Sequence, residues 1–256
     1  YEITTRLVGS EMCIRDSYRT LTEAMEGIRA FMDYKVTVLV KNGTYKEKVV
    51  IPSWLQNVEF IGESVENTII TYDDHANINK MGTFRTYTVK VEGNNITFRN
   101  LTIENNAARL GQAVALHTEG DKLVFINCRI LGNQDTIYTG AAGTRLYFAD
   151  CYIDGTTDFI FGPSTALFEN CEIRSKTNSY VTAASTPKDI AVGYVFKNCR
   201  LTADPGVDKV YMGRPWRPYA ATVFINCEMG KHIRPEGWHN WGNVENEKTA
   251  RYAEYG

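Results

Sequence analysis

From residue 35 onward the chain is built of short apolar runs closed by Gly, Asn or Pro. The first of them read "KVTVLVKNGTY", "EKVVIP", "NVEFIGE", "NTIITY" and "TVKVEG". Their content of Val, Ile, Thr and aromatic residues predicts strands. One stretch ahead of them differs: in "YRTLTEAMEGIRAF", which starts at Tyr18, residues Leu21, Ala24, Met25 and Ile28 fall at helical spacing. A unit then recurs as "ITFRNLTI", "LVFINCRI", "LYFADCYI", "ALFENCEI", "YVFKNCRL" and "TVFINCEM". Its aligned Phe98, Phe125, Phe148, Phe168, Phe196 and Phe224 are separated by 27, 23, 20, 28 and 28 residues. Self-similarity at such a period is the signature of a solenoid.

What fills each period decides which solenoid. The intervals hold a further β run, such as "AVALHT", "DTIYTG", "DFIFGP", "SYVTAA" or "VYMGRPW", and no helix-length pattern. Each unit therefore reads as two or three short strands with turns, one coil of a parallel β-helix, with coils stacked about 4.8 Å apart. Residues at one phase of successive coils then form ladders: Phe inside, Asn or Asp and Cys at a turn. Cys128, Cys151, Cys171, Cys199 and Cys227 each occupy the same slot, beside Asn127, Asp150, Asn170, Asn198 and Asn226. A row of small buried thiols next to side chains hydrogen-bonded along the turn accounts for them, and no CxxC pair argues for zinc.

Composition adds bounds. A chain of 256 residues, 43% apolar, can bury a large core. A net charge of −2 and a pI near 6.2 speak against nucleic acid or an anionic membrane as partner. No apolar run reaches the roughly 18 residues a membrane span requires. Residues 7–17, "LVGSEMCIRDS", read as the translation of a sequencing-library adapter end, so no structure is expected there and Cys13 is not counted as natural. Residues 1–17 are accordingly expected to be a non-native segment, and 18–256 a single domain truncated at its C-terminal end.

The chemistry is carried by two acids. Asp135 in "QDTIYT" and Asp158 in "TDFIFG" stand 23 residues apart, each seven residues after the Cys of its own coil. Equal phase in adjacent coils would bring the carboxyl groups about 5–7 Å apart, given the strand spacing. Two carboxylates so close do not both ionise freely: one keeps a raised pKa and can act as an acid, the other stays an anion. A turn-capping Asp, repeated because the turn repeats, would give the same spacing. Against that reading, the corresponding stretches "NSYVTA" and "VYMGRPW" carry no Asp. Gln134 and Gln112 place amide donors on the same face, suited to a developing oxyanion, and Arg214 in "GRPW" can hold a carboxylate ionised.

Taken together, "GTYKE" (43–47), "GQAVAL" (111–116), "QDT" (134–136), "DFIFG" (158–162) and "GRPW" (213–216), in this order, closely resemble the signature segments of the pectin methylesterases, carbohydrate esterase family 8. "GTFRTYTV" (82–89) and "EGWHNW" (236–241) are weaker matches. The resemblance runs from about Tyr18 to Gly256. It implies an all-β, right-handed parallel β-helix of the pectin-lyase-like kind with a short N-terminal helix. It also implies hydrolysis of the C6 methyl esters of pectin to pectate and methanol. In this likeness Asp158 is the nucleophile and Asp135 the general acid and then base. Gln112 is the oxyanion donor with Gln134 assisting, and Arg214 orients Asp158. Trp216 offers a face to a sugar ring, and Thr83 matches a substrate-contact position. Tyr138 and Phe161 are expected either to line the cleft or to sit in the core.

Such a mechanism takes no cofactor and no metal. His75, His117, His232 and His239 fall in none of the five segments and are expected at the surface or in turns. The partner implied is pectin, a homogalacturonan polysaccharide, met by a monomer outside the cell, in a periplasm or at a cell surface. Two alternatives stay open on the residues alone: a β-helix lyase or polygalacturonase, which would want a calcium-binding acidic cluster or several clustered Asp residues, and a silent polysaccharide-binding β-helix.

Overall fold

The structure, a computed structural model, describes residues 3–7 and 16–256. Three sheets of short strands run the length of the molecule, of eleven, eight and seven strands among the described residues. Successive coils contribute one strand to each, for example Leu123–Ile126, Arg129–Leu131 and Ile137–Thr139, followed by Arg145–Ala149, Tyr152–Gly155 and Ile160–Gly162. Coil pairs on coil in parallel register, as in Phe125↔Phe148 and Ile130↔Ile153. The molecule is thus the right-handed parallel β-helix expected, with three strands to a coil. The expected strands in 36–72 and at 89–91 all form.

The core is a column of stacked rings. Phe60, Phe98, Phe125, Phe148, Phe168, Phe196 and Phe224 occupy one register of the first sheet. Their centroids step by 5.1, 5.2, 4.6, 4.6, 4.5 and 4.4 Å, with near-parallel planes. Phe60 extends the repeat one coil beyond those aligned in the sequence. Because each ring touches the rings above and below, deleting one opens a void that two coils share. Phe148→Ala, at a fully buried position, is expected to cost about 3–5 kcal/mol, read as a lowered midpoint in chemical denaturation. A cost under about 1 kcal/mol would mean that the stack collapses around the gap.

The Asn/Asp ladder has a backbone cause. Asn100, Asn127, Asp150, Asn170, Asn198 and Asn226 all have φ between 49° and 55°, the left-handed region that short polar side chains tolerate best. One such residue turns the chain from the first sheet into the second. The hydrogen-bonded side-chain row expected there is shown by one pair, Asn127 Nδ2 donating to Asn100 Oδ1 at 2.9 Å. The five thiols are free. Those of Cys151, Cys171, Cys199 and Cys227 reach the main-chain oxygen of the Phe in the coil before, at 3.3–3.5 Å.

The helix is shorter than its pattern, Leu21–Glu26. Thr20 and Glu23 form a reciprocal capping box, and Leu21, Ala24 and Met25 face the core. Ahead of it, the expectation of no structure over 7–17 fails at both ends. Leu7 closes the strand Ile3–Leu7, and Asp16 and Ser17 belong to Asp16–Tyr18. These two strands pair antiparallel, and Ile3–Leu7 also pairs antiparallel with Val36–Val40. The open edge of Val36–Val40 accounts for this, since its free N–H and C=O groups accept any extended segment that reaches them. Residues 8–15, Cys13 among them, lie outside the described residues. No helix among the described residues is long and apolar enough to cross a membrane.

Candidate active site

The third sheet supports the two acids. Ile137 pairs with Ile160, and Ile160 with Thr182. Asp135 and Asp158, each two residues before its Ile, therefore hold one slot in adjacent coils. The same slot is Val114 in the coil before and Tyr180 in the coil after. Asp135 N–H donates to Thr157 O at 3.0 Å and Asp158 N–H to Tyr180 O at 2.8 Å. Both acids adopt left-handed φ, 66° and 48°, whereas Val114 and Tyr180 do not. Turn geometry and chemistry thus act together: the kink favours Asn, Asp or Gly, and a carboxylate stands at both kinks.

Their surroundings differ. Arg214 follows the strand Tyr211–Gly213, and its N–H donates to Thr182 O at 2.9 Å. Its guanidinium grips Asp158 with both prongs, Nε to Oδ1 at 3.0 Å and Nη2 to Oδ2 at 2.7 Å. The guanidinium carbon lies 3.9 Å from the centre of the Tyr180 ring and 3.7 Å from that of Trp241. Held by two aromatic rings, this fork can neither swing away nor be exchanged for a lysine without loss of geometry.

Both carboxyl groups are buried, Asp135 with 8% and Asp158 with 6% of its surface exposed. Burial pushes Asp135 well above the usual carboxylate range, the charge of Asp158 adds to this, and Arg214 offsets part of it. Burial also raises Asp158, against the hydrogen bonds and charge of Arg214. Both acids are thus raised, but their neighbours differ: Asp135 meets the charge of Asp158, whereas Asp158 is hydrogen-bonded to Arg214. Asp158 nevertheless stands above its ordinary value, because removal from water outweighs the arginine.

A cleft of about 250 Å³ opens over the pair. Thr83, Gln112, Gln134, Asp135, Asp158, Phe161, Arg214 and Trp216 line it, together with Phe84, Ala183 and Trp241. Of the nine candidates only Tyr138 stands back from this lining. Its ring stacks on Phe161 at 4.8 Å and packs at 4.8 Å on Phe84, so it backs the wall of the cleft. Phe84 and Trp241, which the sequence did not single out, sit on segments outside the repeat. "GTFRTYTV" and "EGWHNW" were the only signals for them. Ala183, a small residue in the sheet, carries no signal at all.

Two of the four histidines are buried, His117 3% and His232 6% exposed; His232 still lies in a turn, as expected, and only His117 departs from the expectation. His117 belongs to the strand Leu116–Thr118 of the third sheet, its Nε2 is 2.7 Å from Glu119 Oε1, and its ring meets Tyr138 edge-on. Burial lowers its pKa in spite of Glu119. Among the described residues no group of three or more His, Cys, Asp or Glu side chains is arranged to hold a metal ion.

Fold and cleft together define a parallel β-helix that carries a buried carboxylate pair in a groove lined by aromatic rings. The chain belongs to the Pectinesterase family, whose model matches residues 12–256. It is 36% identical to Pectinesterase 31 of Arabidopsis thaliana, over 98% of this chain and 82% of that protein. It is 34% identical to Probable pectinesterase/pectinesterase inhibitor 23 of the same plant, over 93% of this chain but 44% of that longer relative. Among solved structures, the pectin methylesterase from carrot superposes with a TM-score of 0.89 at 30% identity, covering 94% of this chain and 79% of that one.

Proposed function

We propose that this chain hydrolyses the C6 methyl esters of pectin, releasing methanol and leaving pectate, through Asp158 as nucleophile and Asp135 as general acid and base. The observation that carries this reading is the unequal pair: Arg214 binds Asp158 with two hydrogen bonds, while Asp135 beside it is pushed well above the carboxylate range by burial and by the Asp158 charge. One oxygen of ionised Asp158 attacks the ester carbonyl carbon. The carbonyl oxygen takes the negative charge, met by the amides of Gln112 and Gln134. As the C–O bond to the methoxy group breaks, Asp135 passes its proton to the departing oxygen, and methanol leaves an acyl-enzyme on Asp158. A water then attacks that acyl carbon and gives its proton to Asp135. The carboxylate of Asp158 is restored and the galacturonate unit is freed as its acid.

Trp216 and Trp241 offer ring faces to neighbouring sugars, and Thr83 a hydroxyl. Every group these steps need is a side chain of the cleft, so the reading calls for no cofactor. A polymeric substrate of this kind places the enzyme outside the cell, at a cell surface or in a periplasm, acting as a monomer along one chain. The deciding experiment incubates the protein with highly methylated pectin and follows methanol, chain length and unsaturated ends together. Methanol with unchanged chain length is expected. Shortened chains, or unsaturated ends without methanol, would replace the esterase reading by a polygalacturonase or a lyase.

A further inference from the structure

We propose that Asn105 is a positioning residue for this site, one amide that sets Gln112 and Thr83 against the carboxylate pair; the inference rests on the esterase reading given above. Asn105 ends the strand Thr102–Asn105 and is 1% exposed. Its Nδ2 lies 2.9 Å from Asp74 O, 3.0 Å from Thr86 O and 3.1 Å from Val114 O, and its Oδ1 accepts Ala107 N–H at 3.1 Å. Two N–H bonds thus serve three carbonyls on three separate segments. A planar amide can do this; a hydroxyl or an apolar side chain of similar size cannot.

Each segment leads to the cleft. Thr86 Oγ1 donates to Thr83 O at 2.7 Å and accepts Val114 N–H at 2.9 Å, which joins the Thr83–Arg85 turn to the segment carrying Gln112. Ala76, two residues after Asp74, donates its N–H to Gln112 O at 2.8 Å. Asp74 and the turn are themselves fastened by Lys48, whose Nζ lies 2.6 Å from both Asp74 Oδ2 and Arg85 O. The need for such a fastening is local. Ten residues without a strand separate Asn105 from Leu116, against five between Leu131 and Ile137 and four between Gly155 and Ile160, so Gln112 stands on a longer strand-free span than Asp135 or Asp158. Gln134, by contrast, belongs to the turn that leads directly into Ile137–Thr139.

An oxyanion donor acts only within about 2.7–3.1 Å of the developing charge, and a misplacement of about 1 Å costs on the order of 100-fold in rate. Asn105→Ala is therefore expected to lower kcat for methanol release at least about tenfold with KM changed less than about threefold. The decisive comparison repeats the substitution in a Gln112→Ala background. There the loss should shrink to about twofold or less, because the donor that Asn105 positions is already gone. Equal losses in the two backgrounds overturn the proposal.

Amide hydrogen exchange supplies a readout apart from activity. Protection at Val114 and Ala76 should drop in Asn105→Ala while the strands of the phenylalanine column keep theirs. If wild type releases no methanol, the esterase reading fails on that ground, and unchanged protection at Val114 and Ala76 would overturn the positioning claim by itself. Should Asn105→Ala not fold, Thr86→Val, which removes the hydroxyl link between Thr83 and Val114, gives the same comparison.

Discussion

Asp158→Ala is expected to lower kcat for methanol release by on the order of 10⁴-fold or more, the scale of losing a covalent nucleophile. The substitution acts twice. It removes the attacking oxygen, and it removes the charge that helps keep the neighbouring acid protonated. With Asp158 gone, Arg214 is left as the charged neighbour of Asp135 and pulls its pKa down, so the acid is weakened along with the nucleophile. The fold should survive, since Arg214 keeps its two aromatic neighbours and its side chain retains 20% exposure to water. Circular dichroism and a thermal melt alongside the assay separate loss of chemistry from loss of structure. Activity within tenfold of wild type would remove Asp158 from the mechanism.

Asp135→Asn is expected to cut kcat by about 10²–10⁴-fold, the usual worth of a positioned general acid, and to change both pH profiles. In the wild type, activity should fall on the acid side as Asp158 gains a proton and on the alkaline side as Asp135 loses one. Both limbs lie above the ordinary carboxylate range, because both groups are raised. In the variant the alkaline limb due to Asp135 should disappear from the residual rate.

Stability moves the other way. A carboxyl group whose pKa is higher in the native chain than in the unfolded one binds more protons when folded. Its contribution is therefore greatest below the unfolded value and is lost as pH rises through the native one. Asparagine has no proton to lose, so Asp135→Asn should be more stable than wild type, by a margin that widens as pH rises from the ordinary carboxylate value through the raised one. Thermal midpoints of the two proteins across that range test this, and parallel curves would mean that Asp135 is not held above its ordinary value.

How far the sequence spoke depended on whether a residue lay inside the repeat. The phenylalanine phase was legible because a ring stack needs the same residue type at every step. The left-handed turn was legible because few side chains tolerate it. The shared slot of Asp135 and Asp158 followed from the same bookkeeping of coil phase. Phe84 and Trp241, by contrast, reach the cleft from a turn and a loop whose lengths follow no period. His117 was expected at the surface or in a turn because a lone histidine carries no phase, yet it is a buried strand residue of the third sheet. Nor was the raised pKa of Asp158 legible, since Arg214 is visible in the sequence as a charge while the burial of the carboxyl group is not.

Coil length and ring spacing are uncoupled in this molecule. Neighbouring rings of the column are between 20 and 28 residues apart in the recurrent part of the chain, yet their centroids step by no more than 5.2 Å. The surplus of the coil between Phe168 and Phe196 emerges after Tyr180–Ala184 as a loop, and Arg251, in the strand Arg251–Tyr255, staples that loop through the Pro187 and Ile190 carbonyls. A loop of this kind can be lengthened, shortened or exchanged while both carboxylates stay where the column puts them. The architecture therefore divides heredity in two. Substitutions in the column are answerable to the catalytic geometry, whereas insertions at its rim are free to retune which stretch of polymer is admitted.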